Sequence, residues 1–373
     1  MKAFEPAAMG LLTLANRFVR SATYEGLANA QGLCSPGLTK LLVQLATGKV
    51  GLIIAGQTAV SQEGRADARG LCLWKENHLP ALMDMAGRVQ AAGGKIMLQL
   101  GHAGIVAEPS LTGKAAFGPM AGRRTDGHIC RSMTRNDIRK TTVSFARAAA
   151  LAREAGFDGV QLHTAHGYLL SSFLSPHYNR RRDEYGGTVE NRARFLLEVL
   201  LSVREAAGND FPVLVKINVN DFLPQGVSVS DIVKTAALLE KGGITAIELS
   251  GGTLRSGSLN PSRTGLISRE NEGYYKEEAR YFKDKINVPL ILSGGLRSLD
   301  VVEKLLQDGL CDFAAMSRPL ICEPDLIARW KQGDTSASMC KSDNQCFRPV
   351  RAGKGLYCLT RVQEGKKSMH RPA

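Results

Sequence analysis

Phe157-Asp-Gly-Val-Gln-Leu-His163-Thr-Ala-His166-Gly-Tyr168-Leu169 carries both a strand and the chemistry that leaves it. Residues 157–162 form a short apolar run without strict alternation, the pattern of a parallel strand buried on both faces. Two imidazoles and a phenol follow its end. Neutral imidazoles can each donate a hydrogen bond to one oxygen, and a phenol beside them can supply a proton. That set suits a substrate carbonyl that gains negative charge as it reacts.

Working outward, eight apolar or β-branched runs stand at 17–23, 50–60, 94–100, 159–163, 212–219, 245–250, 288–293 and 311–316. Stretches with apolar residues three and four apart lie between them, at 78–92, 134–155, 188–206, 230–241, 274–285 and 298–307. Thr188, Ser230 and Ser298 stand where an N-cap acceptor is wanted. Strands alternating with helices predict an α/β fold, a (β/α)8 TIM barrel. An open doubly wound sheet would carry a Gly-x-Gly-x-x-Gly turn after its first strand, and none is there. The barrel occupies residues 1–335, and a Cys-containing C-terminal tail, 336–373, is expected to pack on it. Long loops follow strand 3 (101–133) and strand 6 (251–273), with a polar excursion at 174–187; such loops cover sites or meet partners.

The chain of 373 residues can bury a sizeable core. No run of eighteen apolar residues predicts a membrane span, and the opening Met1-Lys-Ala-Phe-Glu-Pro has no secretory pattern. A cytoplasmic protein is expected. The net charge of +13 fits a solvated basic surface or attraction of an anion such as a nicotinamide dinucleotide. No long Lys/Arg run supports a nucleic-acid partner. Of the eight cysteines only Cys340, Cys346 and Cys358 cluster.

His163 and His166 admit three readings: a structural pair, a metal site and an oxyanion site. No carboxylate or third histidine stands at a suitable local spacing for metal, and Tyr168 favours the oxyanion. Ser293-Gly294-Gly295 and Met316-Ser317-Arg318-Pro319 end strands 7 and 8, where barrels often hold a phosphate. Ser250-Gly251-Gly252 is a further turn of this kind. Lys216, inside an apolar run, needs an anionic or carbonyl partner. Gln99 and Thr23, at strand ends, add polar groups suited to the edge of a heterocycle. In the tail, Asp343 stands where the second of four iron–sulfur cysteines would fall.

These residues resemble the old yellow enzyme family of FMN-dependent ene-reductases. The likeness runs from Leu14-Ala-Asn-Arg-Phe-Val-Arg-Ser-Ala-Thr23 to Met316-Ser-Arg-Pro-Leu. It is most specific in Gln99-Leu-Gly-His-Ala-Gly104, His163-Thr-Ala-His-Gly-Tyr-Leu and Asn179-Arg-Arg-Arg-Asp-Glu-Tyr-Gly-Gly187. The resemblance implies that Ser21, Ala22 and Thr23 line the flavin and that Gln57 and Gln99 meet its edge. It implies Lys216 at N1 and the C2 carbonyl, and Gly294, Gly295, Ser317 and Arg318 at the phosphate. His163 and His166 would grip the substrate oxygen, and Tyr168 would donate the proton. FMN is the implied cofactor, NADH or NADPH the reductant, and a small enone or enal the substrate. A homo-oligomer is expected.

Two departures stand out. Ser21-Ala22 replaces the Pro-Met or Pro-Leu of better-known members. The tail is similar to that of 2,4-dienoyl-CoA reductase and trimethylamine dehydrogenase relatives, but with Asp343 in place of a cysteine no iron–sulfur cluster is expected at Cys340, Cys346 and Cys358. Other activities on this fold remain as alternatives. An amine-oxidising or demethylating flavoenzyme would lack the paired histidines. A flavin-dependent tRNA-modifying reductase would bring an RNA-binding helical domain and a mid-chain catalytic cysteine. A flavin-binding electron carrier would turn over no enone.

Overall fold

The computed structural model of the chain describes residues 1–124 and 127–369. Residues 125–126, in the expected loop after strand 3, and 370–373, at the end of the expected tail, lie outside the described residues.

Among the described residues, eight parallel strands close into one barrel. They are β1 (Phe18–Arg20), β2 (Leu52–Ala59), β3 (Ile96–Gly101), β4 (Val160–Thr164), β5 (Val213–Asn218), β6 (Ala246–Ser250), β7 (Leu290–Leu292) and β8 (Phe313–Met316). All fall on the expected runs, with β3 and β4 each ending one residue later. The intervening helices are α1 (Pro36–Thr47), α2 (Leu79–Ala91), α3 (Arg135–Glu154), α4 (Val189–Ala207), α5 (Val229–Lys241), α6 (Lys276–Lys283) and α7 (Leu299–Gln307). Two short helices, α8 (Arg318–Cys322) and α9 (Leu326–Lys331), follow β8.

Caps set several helix starts. Thr134 Oγ1 accepts from Asp137 N at 3.1 Å, and Asp137 Oδ2 accepts from Thr134 N at 2.8 Å, which satisfies two end donors of α3 reciprocally. Thr188 caps α4 as expected, accepting from Asn191 N at 3.3 Å. The cap of α5 is Ser228 rather than Ser230: its Oγ accepts from Asp231 N at 3.1 Å, so Ser230 sits inside the first turn. Ser298 precedes α7, but its hydroxyl donates to Glu272 Oε1 at 2.6 Å instead of capping.

The barrel interior is built in tiers. Its floor is apolar: Val19, Leu52, Ile54, Met97, Leu214, Ala246, Ile291, Phe313 and Ala315 pack together. Met9 and Leu14, from an antiparallel hairpin (Ala7–Met9 with Leu12–Leu14), join this cluster. Side chains alternate along a strand, so two residues further on the same inward face is reached again. Those positions hold Ser21, Gln99, Lys216 and Glu248, all buried. The sequence therefore switches the barrel lumen from apolar to polar in one step of the pleat. Outward-facing residues of the strands pack with the helices in the larger core, anchored by residues such as Phe145, Phe195 and Phe282.

One outward-facing charge is buried as well. Arg20 pairs with Glu25 at 2.8 Å and donates to the Ile54 carbonyl at 2.9 Å. Glu25 Oε1 also accepts from Gly56 N at 3.1 Å, so β1 and β2 share this pair. A side chain at Gly56 would place its Cβ 2.1 Å from the Thr23 carbonyl oxygen.

The loop after β3 is not structureless. It carries a small sheet of Phe117–Gly118, Gly122–Arg123 and Ile129–Ser132. The tail runs back over the strand ends: Asn344 Nδ2 donates to the Ser262 carbonyl at 2.6 Å, and Arg69 Nη1 donates to the Gly353 carbonyl at 2.7 Å. Among the described residues, no helix is long and apolar enough to cross a membrane.

Removing one partner of a buried ion pair leaves the other charge uncompensated. Glu25→Ala is therefore expected to cost roughly 3–5 kcal/mol, read as a lowered urea midpoint at unchanged slope. A loss below about 1 kcal/mol, the size of a surface pair, would show that the β1–β2 clasp does not depend on it.

Candidate active site

The site begins where β4 ends. Gln161 and His163 alternate on one face of β4, and both are buried. His166 has φ +66°, a left-handed conformation that costs a non-glycine residue about 1 kcal/mol or more. Two contacts, one from β5 and one from β6, hold it there. Its backbone N–H donates to Asn218 Oδ1 at 3.1 Å, and its Nε2 lies 2.7 Å from Ser250 Oγ. The turn thus bends back so that the His163 and His166 rings meet edge to face, with centroids 5.3 Å apart.

Tyr168 is placed by the segment after β3. Leu169 N donates to the His102 carbonyl at 3.1 Å, and His102 Nδ1 accepts from Gly104 N at 3.0 Å. Gly104 has φ +61°, and a Cβ there would lie 2.8 Å from Leu169 Cα. Only glycine allows that approach, which gives the Gln99-Leu-Gly-His-Ala-Gly104 motif a physical role. The Tyr168 ring packs on Ala103, Ala107 and Ala116, and its centroid lies 4.7 Å from that of His163.

Burial decides the protonation states. It pushes His163 down to about 3, with the nearby Lys216 charge adding to the effect. It holds His166 well below its usual value, helped by His163 and Lys216. Burial raises the Tyr168 phenol, and the charge of Asp67 acts the same way. At neutral pH the site therefore presents two neutral imidazoles and a protonated phenol. Nδ1 of His163 is buried and has no hydrogen-bond partner within the chain.

Below these rings lies a continuous polar tier. Gln99 Nε2 donates to Gln161 Oε1, Gln161 Nε2 donates to Glu248 Oε2, and Lys216 Nζ donates to Glu248 Oε1, at 2.7, 2.7 and 2.9 Å. Ser21 Oγ receives a hydrogen bond from Lys216 at 2.6 Å and donates to Glu248 Oε1 at 2.6 Å. Glu248 is the anion that Lys216 was expected to need. Register puts His163 opposite Lys216 and Lys216 opposite Glu248 on successive strands, so ring, cation and carboxylate are neighbours across the pleat.

The remaining expected residues gather at the same end of the barrel. Thr23 Oγ1 lies 2.6 Å from Ser317 Oγ, which links the ends of β1 and β8. Ala22 packs against the apolar floor cluster. Gln57 pairs in register with Gln99 just after a bulge in β2. Gly294 and Gly295 lie against the Tyr274 ring, where a Cβ on either would approach it within 3.3 Å. Arg318 donates to Asn344 Oδ1 at 2.8 Å, so the strand-8 arginine reaches the tail.

Residues 2–336 match the NADH:flavin oxidoreductase / NADH oxidase family. The chain belongs to that family. It is 32% identical over 386 residues to a 4,4'-dithiodibutanoate disulfide reductase of Rhodococcus erythropolis, covering 96% of this chain and 94% of that protein. It is 37% identical over 281 residues to an NADPH dehydrogenase of a Geobacillus species, covering 75% and 78%. The solved structure of an old yellow enzyme homologue from Zymomonas mobilis superposes with a TM-score of 0.77 at 25% identity, covering 92% and 96%. The chain spans about half the length of some other relatives it matches, 54% and 50% of two of them.

Membership implies FMN, with NADH or NADPH as reductant. The residues present fit a flavin. A heterocycle with several carbonyl and ring-nitrogen acceptors needs buried donors, and the Lys216 ammonium and the Gln99 amide supply them. The tail cysteines Cys340, Cys346 and Cys358 line one small cavity with Cys322, from the end of α8. Asp343 spends its carboxylate on Thr360 Oγ1 at 2.7 Å and Gln345 N at 3.0 Å. Among the described residues, no three His, Cys, Asp or Glu side chains converge where a metal ion could sit.

Sequence reading missed Gln161, Glu248 and Asn218, and it placed Ser250 in a phosphate-type turn, whereas its hydroxyl meets His166; all four hold the site together. Two of them were findable. Glu248 interrupts an apolar run as Lys216 does, and Gln161 precedes His163 by one inward step.

Protons bind these histidines more readily in the unfolded chain, where the pKa is near 6.5, than in the fold. Stability is therefore complete above that value and is lost as pH falls towards the folded values, by up to about 1.4 kcal/mol per pH unit for each histidine. Urea unfolding from pH 7 to 4.5 should show this decline, and it should flatten in His163→Gln. Equal slopes for the two proteins would remove His163 from the acid response.

Proposed function

We propose that this chain reduces the C=C bond of α,β-unsaturated carbonyl compounds with reducing equivalents from NAD(P)H. The observation that carries the reading is a pair of neutral imidazoles, His163 buried and His166 half-buried, beside a protonated phenol at the carboxyl end of β4. FMN, when bound, would supply the hydride-transfer chemistry between the nicotinamide and the alkene.

The protein's residues supply the rest. His163 and His166 each offer a ring N–H to the substrate oxygen and stabilise the charge that builds there. Because both stay neutral, they donate without giving up a proton to the enolate oxygen. Tyr168, protonated and adjacent, delivers a proton to the α carbon. Lys216 sets a positive charge at the electron-rich edge of the flavin, with Glu248 and Ser21 fixing its ammonium. Ser21, Ala22, Thr23, Gln57 and Gln99 line the ring system, and Gly294, Gly295, Ser317 and Arg318 take the phosphate. The bound molecule is a small enone or enal.

A disulfide, the substrate class in the name of the Rhodococcus relative, is the second reading, favoured by identity across nearly the whole of both chains. Parallel assays with cyclohexenone and a dialkyl disulfide, each following NADPH oxidation, separate the two. Enone turnover should fall about 10²–10³-fold in His163→Ala/His166→Ala, as when an oxyanion donor is removed, with FMN still bound. Tyr168→Phe should slow reoxidation of the reduced enzyme by enone about 10²-fold or more and leave its reduction by NADPH unchanged. Disulfide turnover without enone turnover in the parent protein would overturn the carbonyl reading.

A further inference from the structure

Each imidazole of the pair has two ring nitrogens, and the fold disposes of one on each ring. In His163 that nitrogen is Nδ1, which is buried with no partner in the chain. A proton there would be a buried donor without an acceptor, an arrangement folded proteins avoid. The neutral His163 ring therefore carries its proton on Nε2. In His166 the occupied nitrogen is Nε2, which lies 2.7 Å from Ser250 Oγ. Nδ1 is the nitrogen left to meet a substrate oxygen.

The parts around this contact are fixed. Ser250 is buried at the end of β6, and its carbonyl accepts from Val219 N at 2.8 Å. Asn218 Oδ1 accepts from His166 N, while Asn218 Nδ2 donates to Asp221 Oδ1 at 2.9 Å and to the Gly252 carbonyl at 3.0 Å, so the amide cannot turn round without losing all three. The His166 backbone also forms a parallel bridge with Thr253. Among the described residues, His166 is the one hydrogen-bond partner of the Ser250 hydroxyl, so the hydroxyl proton is free to point at the ring.

A hydroxyl both donates and accepts, and the contact therefore admits two arrangements. In the first, His166 Nε2–H donates to Ser250 and Nδ1 turns a lone pair towards the substrate. In the second, Ser250 donates to Nε2 and Nδ1 carries the ring proton. An oxygen that gains negative charge is repelled by the first and stabilised by the second. We propose that Ser250 is a positioning residue that holds His166 in the Nδ1–H tautomer, so that the substrate oxygen is met by His163 Nε2–H and His166 Nδ1–H. The inference deepens the carbonyl reading given above and rests on it. Both rings and the hydroxyl keep their protons throughout; Ser250 acts through His166 and does not touch the substrate. Alanine at this position would leave Nε2 without a donor and let the proton return to it. Threonine would keep the hydroxyl.

The test is a two-bond 15N–1H correlation spectrum of the full FMN-loaded protein labelled with 15N-histidine, recorded free and with 4-chlorophenol, whose oxygen resembles that of an enolate. The expected result is Nε2–H for His163 and Nδ1–H for His166 in both spectra. Ser250→Ala should move the His166 proton to Nε2 and weaken 4-chlorophenol binding about 5-fold, the size of one ordinary hydrogen bond. Ser250→Thr should restore the parent tautomer and affinity, which a role in packing alone would not predict. An Nε2–H His166 in either parent spectrum would overturn the proposal, and so would a Ser250→Ala protein with the parent tautomer and affinity. The parent spectra stand even if a variant folds poorly. The free spectrum needs no turnover, so absent enone turnover counts against the carbonyl reading, whereas the tautomer decides the role of Ser250.

Discussion

The Lys216–Glu248 ion pair, sealed in the middle of the barrel, is the constraint on which the rest of the site depends. Two charges in a low-dielectric interior are tolerated only when their geometry is good and their remaining donors and acceptors are used. Here the partners are side chains that meet across the barrel lumen: Ser21, just past β1, on one side, and Gln161 and then Gln99 on the other. The network spans several strands of the barrel and sits directly on the apolar floor. It fixes the cation without relying on any flexible loop.

That tier also sets the properties of the rings above it. His163 is opposite Lys216 in the strand register, so the ammonium acts on the imidazole at close range and adds to the cost of protonating it. Burial contributes most, but the sign of the neighbour matters. A carboxylate in place of Lys216 would favour imidazolium, and the site would then offer proton donors too acidic to stabilise an enolate selectively. The left-handed backbone at His166 belongs to the same design. Asn218 and Ser250, one inward step above Lys216 and Glu248, hold the strained turn that lets the two rings share one space.

The carboxyl end of the barrel is closed by long-range contacts. The segment after β3 reaches Leu169 through His102 and Gly104, and the tail reaches Arg318 and Ser262 through Asn344. Substrate access is therefore shaped by segments far apart in sequence, of a kind that varies readily while the strands stay fixed. A barrel can in this way be common to relatives named for disulfide or NADPH chemistry while the loops over its strand ends differ.

By itself, the sequence determined the strand positions and the chemistry at their ends. Buried parallel strands need continuous apolar runs, and helices need their own period, so the alternation of the two was legible. Glycines such as Gly104 and the polar residues of the 163–168 turn stood out because apolar cores do not tolerate them without purpose. Lys216 was readable as a buried cation, but its partner was not named, although Glu248 broke its own apolar run in the same way. Ser230 was mistaken for a cap because two serines stand close together and only the backbone path selects Ser228. What tertiary structure alone decided is which side chains meet. The pairing of Lys216 with Glu248, the anchoring of His166 by Asn218 and Ser250, and the gathering of Cys322 with the tail cysteines round one cavity join residues from distant parts of the chain. Strand register and loop closure set those distances, and neither is written in local sequence.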